Sequence, residues 1–191
     1  MKVYMSGKYK AVVMGGSWGG MNAAVEILKY LPADYPLPIV LVLHRLKGVI
    51  SELPALIRKK TYVQIKEADE KEKMQPGTVY IAPADYHLLI EQDQTFSLDV
   101  SEAILFSRPS IDVTFESAAE VFGKKLIGIV LSGASKDGSQ GLYTICRAGG
   151  QAIVQDPRQA EVTTMPQAAI ETVKRAKVLT LDEIAAYLLA V

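Results

Sequence analysis

Three residues far apart in this chain carry the side chains of an acyl-transfer relay, and each stands beside an apolar run: Ser17, His44 and Asp137. Ser17 lies in Gly15-Gly16-Ser17-Trp18-Gly19, which fits G-x-S-x-G, a tight turn that lifts a serine hydroxyl out between a strand and a helix. Glycines flank such a turn because a Cβ would crowd the neighbouring backbone. His44 ends the run "IVLVL", and Asp137 follows "LIGIVLSG" in the loop "ASKDGSQG". A serine to attack, a histidine to take its proton and a carboxylate to orient the imidazole are the inventory of a Ser-His-Asp triad. The Trp18 N–H, at a helix start, would then point toward the oxyanion that develops on the attacked carbonyl. Ser17 Oγ is expected about 2.6–3.2 Å from His44 Nε2, with some looseness in the absence of substrate.

Each residue also has a plainer reading. Ser17 suits a capping role in a glycine turn, and a lone histidine beside an apolar strand is commonly a satisfied core residue. An aspartate in a glycine-rich loop before a helix is a common N-cap, worth about 1 kcal/mol. Ser135 is placed to take that cap instead, leaving Asp137 to orient the imidazole. The other histidine, His87 in "ADYHLLIE", suits a structural or cleft-edge role. The glycine run also invites a phosphate-binding reading, but the residues oppose it. A dinucleotide fingerprint needs G-x-G-x-x-G and an acidic residue about 20 positions onward. Ser17 occupies the middle glycine's place, the second strand ends in His44, and no Gly-Lys-Ser/Thr follows. The relay requires no metal and no cofactor.

The elements that must position these residues follow from hydrophobic periodicity. Apolar runs ("KAVVMG", "PIVLVLH", "LIGIVLSG", "GQAIVQD") alternate with segments of helical period ("GGMNAAVEILKYL", "ISELPALIRKK", "GSQGLYTICRAG", "PQAAIETVKRA"). The tail "LDEIAAYLLAV" reads as a closing helix with Asp182 and Glu183 in its first turn. This alternation predicts an α/β fold: a doubly wound, mostly parallel sheet with helices on both faces. The middle third differs, since "TVYIAP", "YHLLIE" and "TFSLDV" are short and punctuated by turn residues, as in a small antiparallel appendage. With 191 residues and nothing resembling a linker or repeat, residues 1–191 read as a single domain. Ligands of an open parallel sheet meet it at the C-terminal strand ends. Ser17, His44 and Asp137 all fall there.

Lysines and arginines balance aspartates and glutamates at 21 each, so no net field favours nucleic acid or an anionic membrane. The local patch Arg58-Lys59-Lys60 reads as a solvated helix end. The single cysteine, Cys146, suits packing on a helix face. No signal-peptide core or membrane span is evident, which points to a cytoplasmic protein without membrane insertion.

Several spaced segments together resemble the catalytic domain of the chemotaxis protein-glutamate methylesterase (CheB) family. They are "GGSWGG", "VLHR", "QPGTVYIAPADYHLLI", "RPSIDVTFESAA", "IGIVLSGASKDGSQGL" and "GQAIVQDPRQAEVTTMPQAAIE". The resemblance implies a carboxylic ester hydrolase, a serine esterase of signal transduction, with Ser17 as nucleophile, His44 as base and Asp137 as its orienting partner. It implies hydrolysis of γ-glutamyl methyl esters on a methylated chemoreceptor or related signalling protein, with deamidation of certain glutamines beside it. The order Ser, His, Asp differs from that of α/β-hydrolases, so theirs is not the template. Where the family commonly has methionine and asparagine, this chain has Ala134 and Lys136. The methionine's backbone is associated with the oxyanion hole, a role that falls to Ala134 beside Trp18. Lys136 brings a cation near Asp137, and Trp18 exceeds the small residue usual after the nucleophile. Many members carry an N-terminal receiver domain. About eight residues precede the first strand here, which leads us to expect constitutive activity or control by a separate receiver-domain protein, with a methyltransferase as counterpart. The alternative is a non-catalytic protein-binding module that retains the methylesterase fold.

Overall fold

The computed structural model describes residues 7–44 and 53–191. In chain order its strands are β1 (Ala11–Gly16), β2 (Ile39–Leu43), β3 (Gln64–Glu67), β4 (Thr78–Ile81), β5 (His87–Ile90), β6 (Phe96–Asp99), β7 (Leu126–Val130), β8 (Gln151–Gln155) and β9 (Lys177–Leu179). The helices are α1 (Gly20–Leu28), α2 (Leu53–Arg58), α3 (Ile111–Phe122), α4 (Ser139–Arg147), α5 (Thr164–Thr172) and α6 (Leu181–Leu189). Seven strands form one sheet in the order β3-β4-β2-β1-β7-β8-β9. Every neighbouring pair in it is parallel. From β1 the chain builds outward through β2, then returns to the opposite side of β1 with β7. That reversal makes the C-terminal ends of β1 and β7 the switch point, where such sheets bind ligands.

A parallel sheet covered on both faces needs apolar residues at every strand position. β1 and β2 are buried throughout. Val12, Met14, Ile39 and Leu41 enter one core with residues of α1, α2 and α6. Ala11, Val13, Val40 and Val42 enter the other with residues of α3, α4 and α5. Each fully buried leucine or isoleucine contributes roughly 1.5–3 kcal/mol before entropy is counted. Cys146 packs, half-buried, against the second core. The closing helix has a full capping box in which Thr180 and Glu183 satisfy each other's backbone amides.

One expectation for the middle third needs correction. Among the named strands of the described residues, β5 and β6 alone pair antiparallel, running from His87↔Asp99 to Ile90↔Phe96. The run "TVYIAP" supplies β4, which lies within the main sheet, parallel to both β2 and β3. All four β4 residues are buried, whereas most of β6 is half-exposed. So short an apolar run carries no periodicity to tell the two environments apart. Of the helix expected over "ISELPALIRKK", the part from Leu53 to Arg58 is present. Ile50, Ser51 and Glu52 lie outside the described residues. Lys59 and Lys60 are exposed beyond its end, as the basic patch suggests.

Candidate active site

β1 ends at Gly16, and the chain turns through Ser17 and Trp18 into α1. The left-handed residue of this turn is Gly19 (φ 76°), so the strain falls on a glycine. Two hydrogen bonds lock the turn to the loop after β7. The Ser17 amide donates to Ser132 O at 2.9 Å, and Ser132 Oγ donates to Trp18 O at 2.8 Å. A Cβ on Gly133 would lie 2.8 Å from Ser17 Cβ, so only glycine permits this approach.

His44 follows β2 directly, and its amide donates to Gly16 O at 3.2 Å. Its ring Nε2 meets Asp137 Oδ2 at 2.8 Å. Asp137 is fully buried. Its Oδ1 accepts from Ser110 Oγ at 2.9 Å and from the Asp112 amide at 2.9 Å. Its Oδ2 also accepts from the Ile111 amide at 2.6 Å. Burial acts to raise the Asp137 pKa, yet the hydrogen bonds from His44, the two amides and Ser110 together outweigh it. The carboxyl is held below its ordinary range. The ionised carboxylate therefore accepts, and Nε2 carries the proton.

This fixes a point on which the sequence-based expectation was wrong. Nε2 is taken by the carboxylate, so the nitrogen available to a substrate is Nδ1. At 3.2 Å from Nδ1 lies not Ser17 but Ser107 Oγ. Ser17 and His44 both line a cleft of about 1100 Å³, with Trp18, Ser107, Ala134 and Lys136. Among the described residues no hydrogen bond joins Ser17 to His44. Neither the Trp18 nor the Ala134 amide donates to an acceptor among them. Lys136 is exposed, and among the described residues the ion-pair partner of Asp137 is His44 rather than Lys136. No group of three His, Cys, Asp or Glu among them is placed to hold a metal ion.

Asp137 is not the cap of the helix it precedes. It sits at the N-terminus of α3, where amides and the helix dipole favour an anion. The α4 terminus is served from α3 instead. Asp112 Oδ1 accepts from the Gly138 amide at 2.8 Å and from the Gly141 amide at 2.7 Å. Burial, together with the nearby Asp137 charge, pushes Asp112 up to about 6. Ser135 Oγ accepts from the Asp137 amide at 3.1 Å, leaving the aspartate side chain to the imidazole.

A family model described as CheB methylesterase matches residues 12–188. The chain belongs to that family. A CheB-family relative from Leptospira interrogans, provisionally named a protein-glutamate methylesterase/protein-glutamine glutaminase, is 50% identical over 177 residues, covering 93% of this chain and 92% of the relative. The protein-glutamate methylesterase FrzG of Myxococcus xanthus is 36% identical, covering 95% of this chain and 54% of its own length. The crystal structure of the Thermotoga maritima CheB methylesterase catalytic domain superposes with a TM-score of 0.90 at 35% identity, covering 95% of this chain and 97% of that one. The doubly wound sheet is thus the CheB catalytic fold.

Four residues of this CheB-family site escape a reading by strand ends: Ser107, Ser110, Asp112 and Ser132. Ser110 and Asp112 carry a local signal, since "PSID" has the serine and acid of a helix start. Ser107 and Ser132 carry none. His87 is structural: buried, with Nε2 donating to Glu102 O at 3.0 Å and Nδ1 accepting from the Ser110 amide at 3.1 Å. It thereby ties the loop beside the cleft to the Asp137 cradle.

Proposed function

We propose that this protein hydrolyses γ-glutamyl methyl esters on a chemoreceptor-like signalling protein in the cytoplasm, and that it deamidates glutamines at equivalent places. The observation that carries the reading is the 2.8 Å bond between His44 Nε2 and the buried Asp137 carboxylate, which turns Nδ1 toward a cleft shared with Ser17. Ser17 Oγ attacks the ester carbonyl as Nδ1 takes its proton. Such base catalysis typically contributes about 10²–10⁴-fold. The amides of Trp18 and Ala134, unpaired among the described residues, suit the oxyanion, each donor being worth on the order of 10²–10³ in rate. The C–O bond to methanol then breaks, and methanol leaves with the proton from His44. In deamidation ammonia leaves instead. Water attacks the acyl-Ser17 ester by the same steps and releases the glutamate and free Ser17. Asp137 keeps Nε2 protonated and supports the transient imidazolium. Catalytic hydrogen bonds often close only around substrate, which suits the open Ser17–His44 contact. The ester substrate requires a methyltransferase to form it.

The test is methanol release from a methyl-esterified receptor fragment. Ser17→Ala is expected to lower it by on the order of 10⁴-fold or more, and a fluorophosphonate adduct should map to Ser17 in the wild type. The second reading is a non-catalytic binding module. It draws on one observation, that Ser107 rather than Ser17 is bonded to Nδ1. Equal methanol release by wild type and Ser17→Ala would favour it.

A further inference from the structure

We propose that Ser107 is a positioning residue for His44: its hydroxyl donates into the Nδ1 lone pair of the free protein and withholds that nitrogen from Ser17 until substrate displaces it. The proposal rests on the esterase reading of Ser17 and His44.

The chemistry of the ring leaves little choice. Asp137 is ionised, so Nε2 is the N–H and Nδ1 holds the one lone pair of the neutral imidazole. Ser107 Oγ lies 3.2 Å from that lone pair, within hydrogen-bond reach. A single sp² lone pair directs one good hydrogen bond, so Ser107 and Ser17 compete for it.

The backbone behind Ser107 is braced. The Ser107 amide donates to Ile104 O at 2.8 Å, and the Ile104 amide donates to Ser107 O at 3.1 Å. These bonds close a two-residue turn over Leu105 (φ 47°) and Phe106 (φ 64°), both in the left-handed region. Two successive positive φ values mark a type I′ turn, which ordinarily takes Asn and Gly. Large apolar residues hold that conformation at a cost, which the two Ile104–Ser107 backbone bonds oppose. Next in the chain, Arg108 donates to Asp85 Oδ1 at 2.6 Å and to Val100 O at 2.6 Å. The Ser107 hydroxyl is therefore presented to the imidazole by a segment tied at both ends, at the cleft mouth a substrate enters.

The experiment compares the full chain as wild type, Ser107→Ala and Ser107→Thr. Two quantities are read: the rate of fluorophosphonate labelling at Ser17, located by mass spectrometry, and the ¹⁵N resonance of His44 Nδ1. Ser107→Ala should label Ser17 about three- to tenfold faster, the factor matching a hydrogen bond of ordinary net strength. Its Nδ1 resonance should move toward that of an unbonded pyridine-type nitrogen. Ser107→Thr, which keeps the hydroxyl, should behave as wild type in both, and thermal unfolding should match across the three. Unchanged or slower labelling in Ser107→Ala overturns the proposal, as does an unmoved Nδ1 resonance or an adduct on Ser107 itself. If none of the three labels at Ser17 while a control serine hydrolase does, the esterase reading falls and the competition with it. The nitrogen resonance, read independently, distinguishes that outcome from failure of the Ser107 contact.

Discussion

Asp137 combines complete burial with a negative charge, which is costly unless the charge is met by donors. Here the donors are a hydroxyl, two helix-terminal amides and the imidazole. Their orientation makes the residue an acceptor only, so its exchange for an amide should be severe. Asp137→Asn places an NH₂ among groups that already donate and favours the wrong imidazole tautomer. Methanol release is expected to fall by on the order of 10³–10⁴-fold. Stability should change with pH as well. The folded-state pKa lies below the ordinary 3.8, so the contribution of this carboxylate is present above that pH and is lost as pH falls through the folded value. In urea titrations the stability gap between wild type and Asp137→Asn should therefore narrow below about pH 4.

At the scale of elements, α3 and α4 exchange carboxylates. Asp137, just before α4, sits on the α3 terminus, and Asp112 of α3 binds the α4 terminus. Neither helix can shift without disturbing the group that orients His44. The exchange also places two acidic groups near each other, and burial with that proximity raises Asp112 from 3.8 to about 6. A raised acid favours the folded state fully below the unfolded pKa and loses that benefit as pH rises through the folded one. Asp112→Asn keeps an oxygen for the Gly138 and Gly141 amides but does not titrate. Relative to wild type, the variant should gain stability as pH rises from about 4 to about 6, measured by denaturant unfolding across that window.

Over the whole molecule, the parallel sheet brings the ends of β1, β2 and β7 to one edge, and the loop after β6 supplies the facing wall. That mouth carries large exposed apolar side chains. Trp18 is 71% exposed, Leu105 53%, and Phe106 is fully exposed. Aromatic anchors of this kind carry much of the energy at protein contacts. Phe106→Ala should raise KM for a methyl-esterified protein substrate about five- to thirtyfold. For a small soluble ester kcat/KM should stay near wild type. Steady-state kinetics on the two substrates checks the split. Among the described residues no helix is long and apolar enough to cross a membrane.

That Ser17, His44 and Asp137 would reach one edge of the sheet was legible in the sequence, because a parallel sheet delivers its strand ends there and a buried strand announces itself by an apolar run that stops. The two cores were legible for the same reason, since strand and helix periods are local properties. The place of β4 was not, because its four residues suit either kind of buried strand and its neighbours lie far away in the chain. Nor was the choice of Nδ1 over Nε2, which depends on where a loop beyond β7 sets its carboxylate. Ser107 and Ser132 act across long stretches of chain through single hydrogen bonds. Residue types and local periods determine which side chains reach the edge of the sheet. Which atoms then face one another is decided by the packing of loops that share no local pattern.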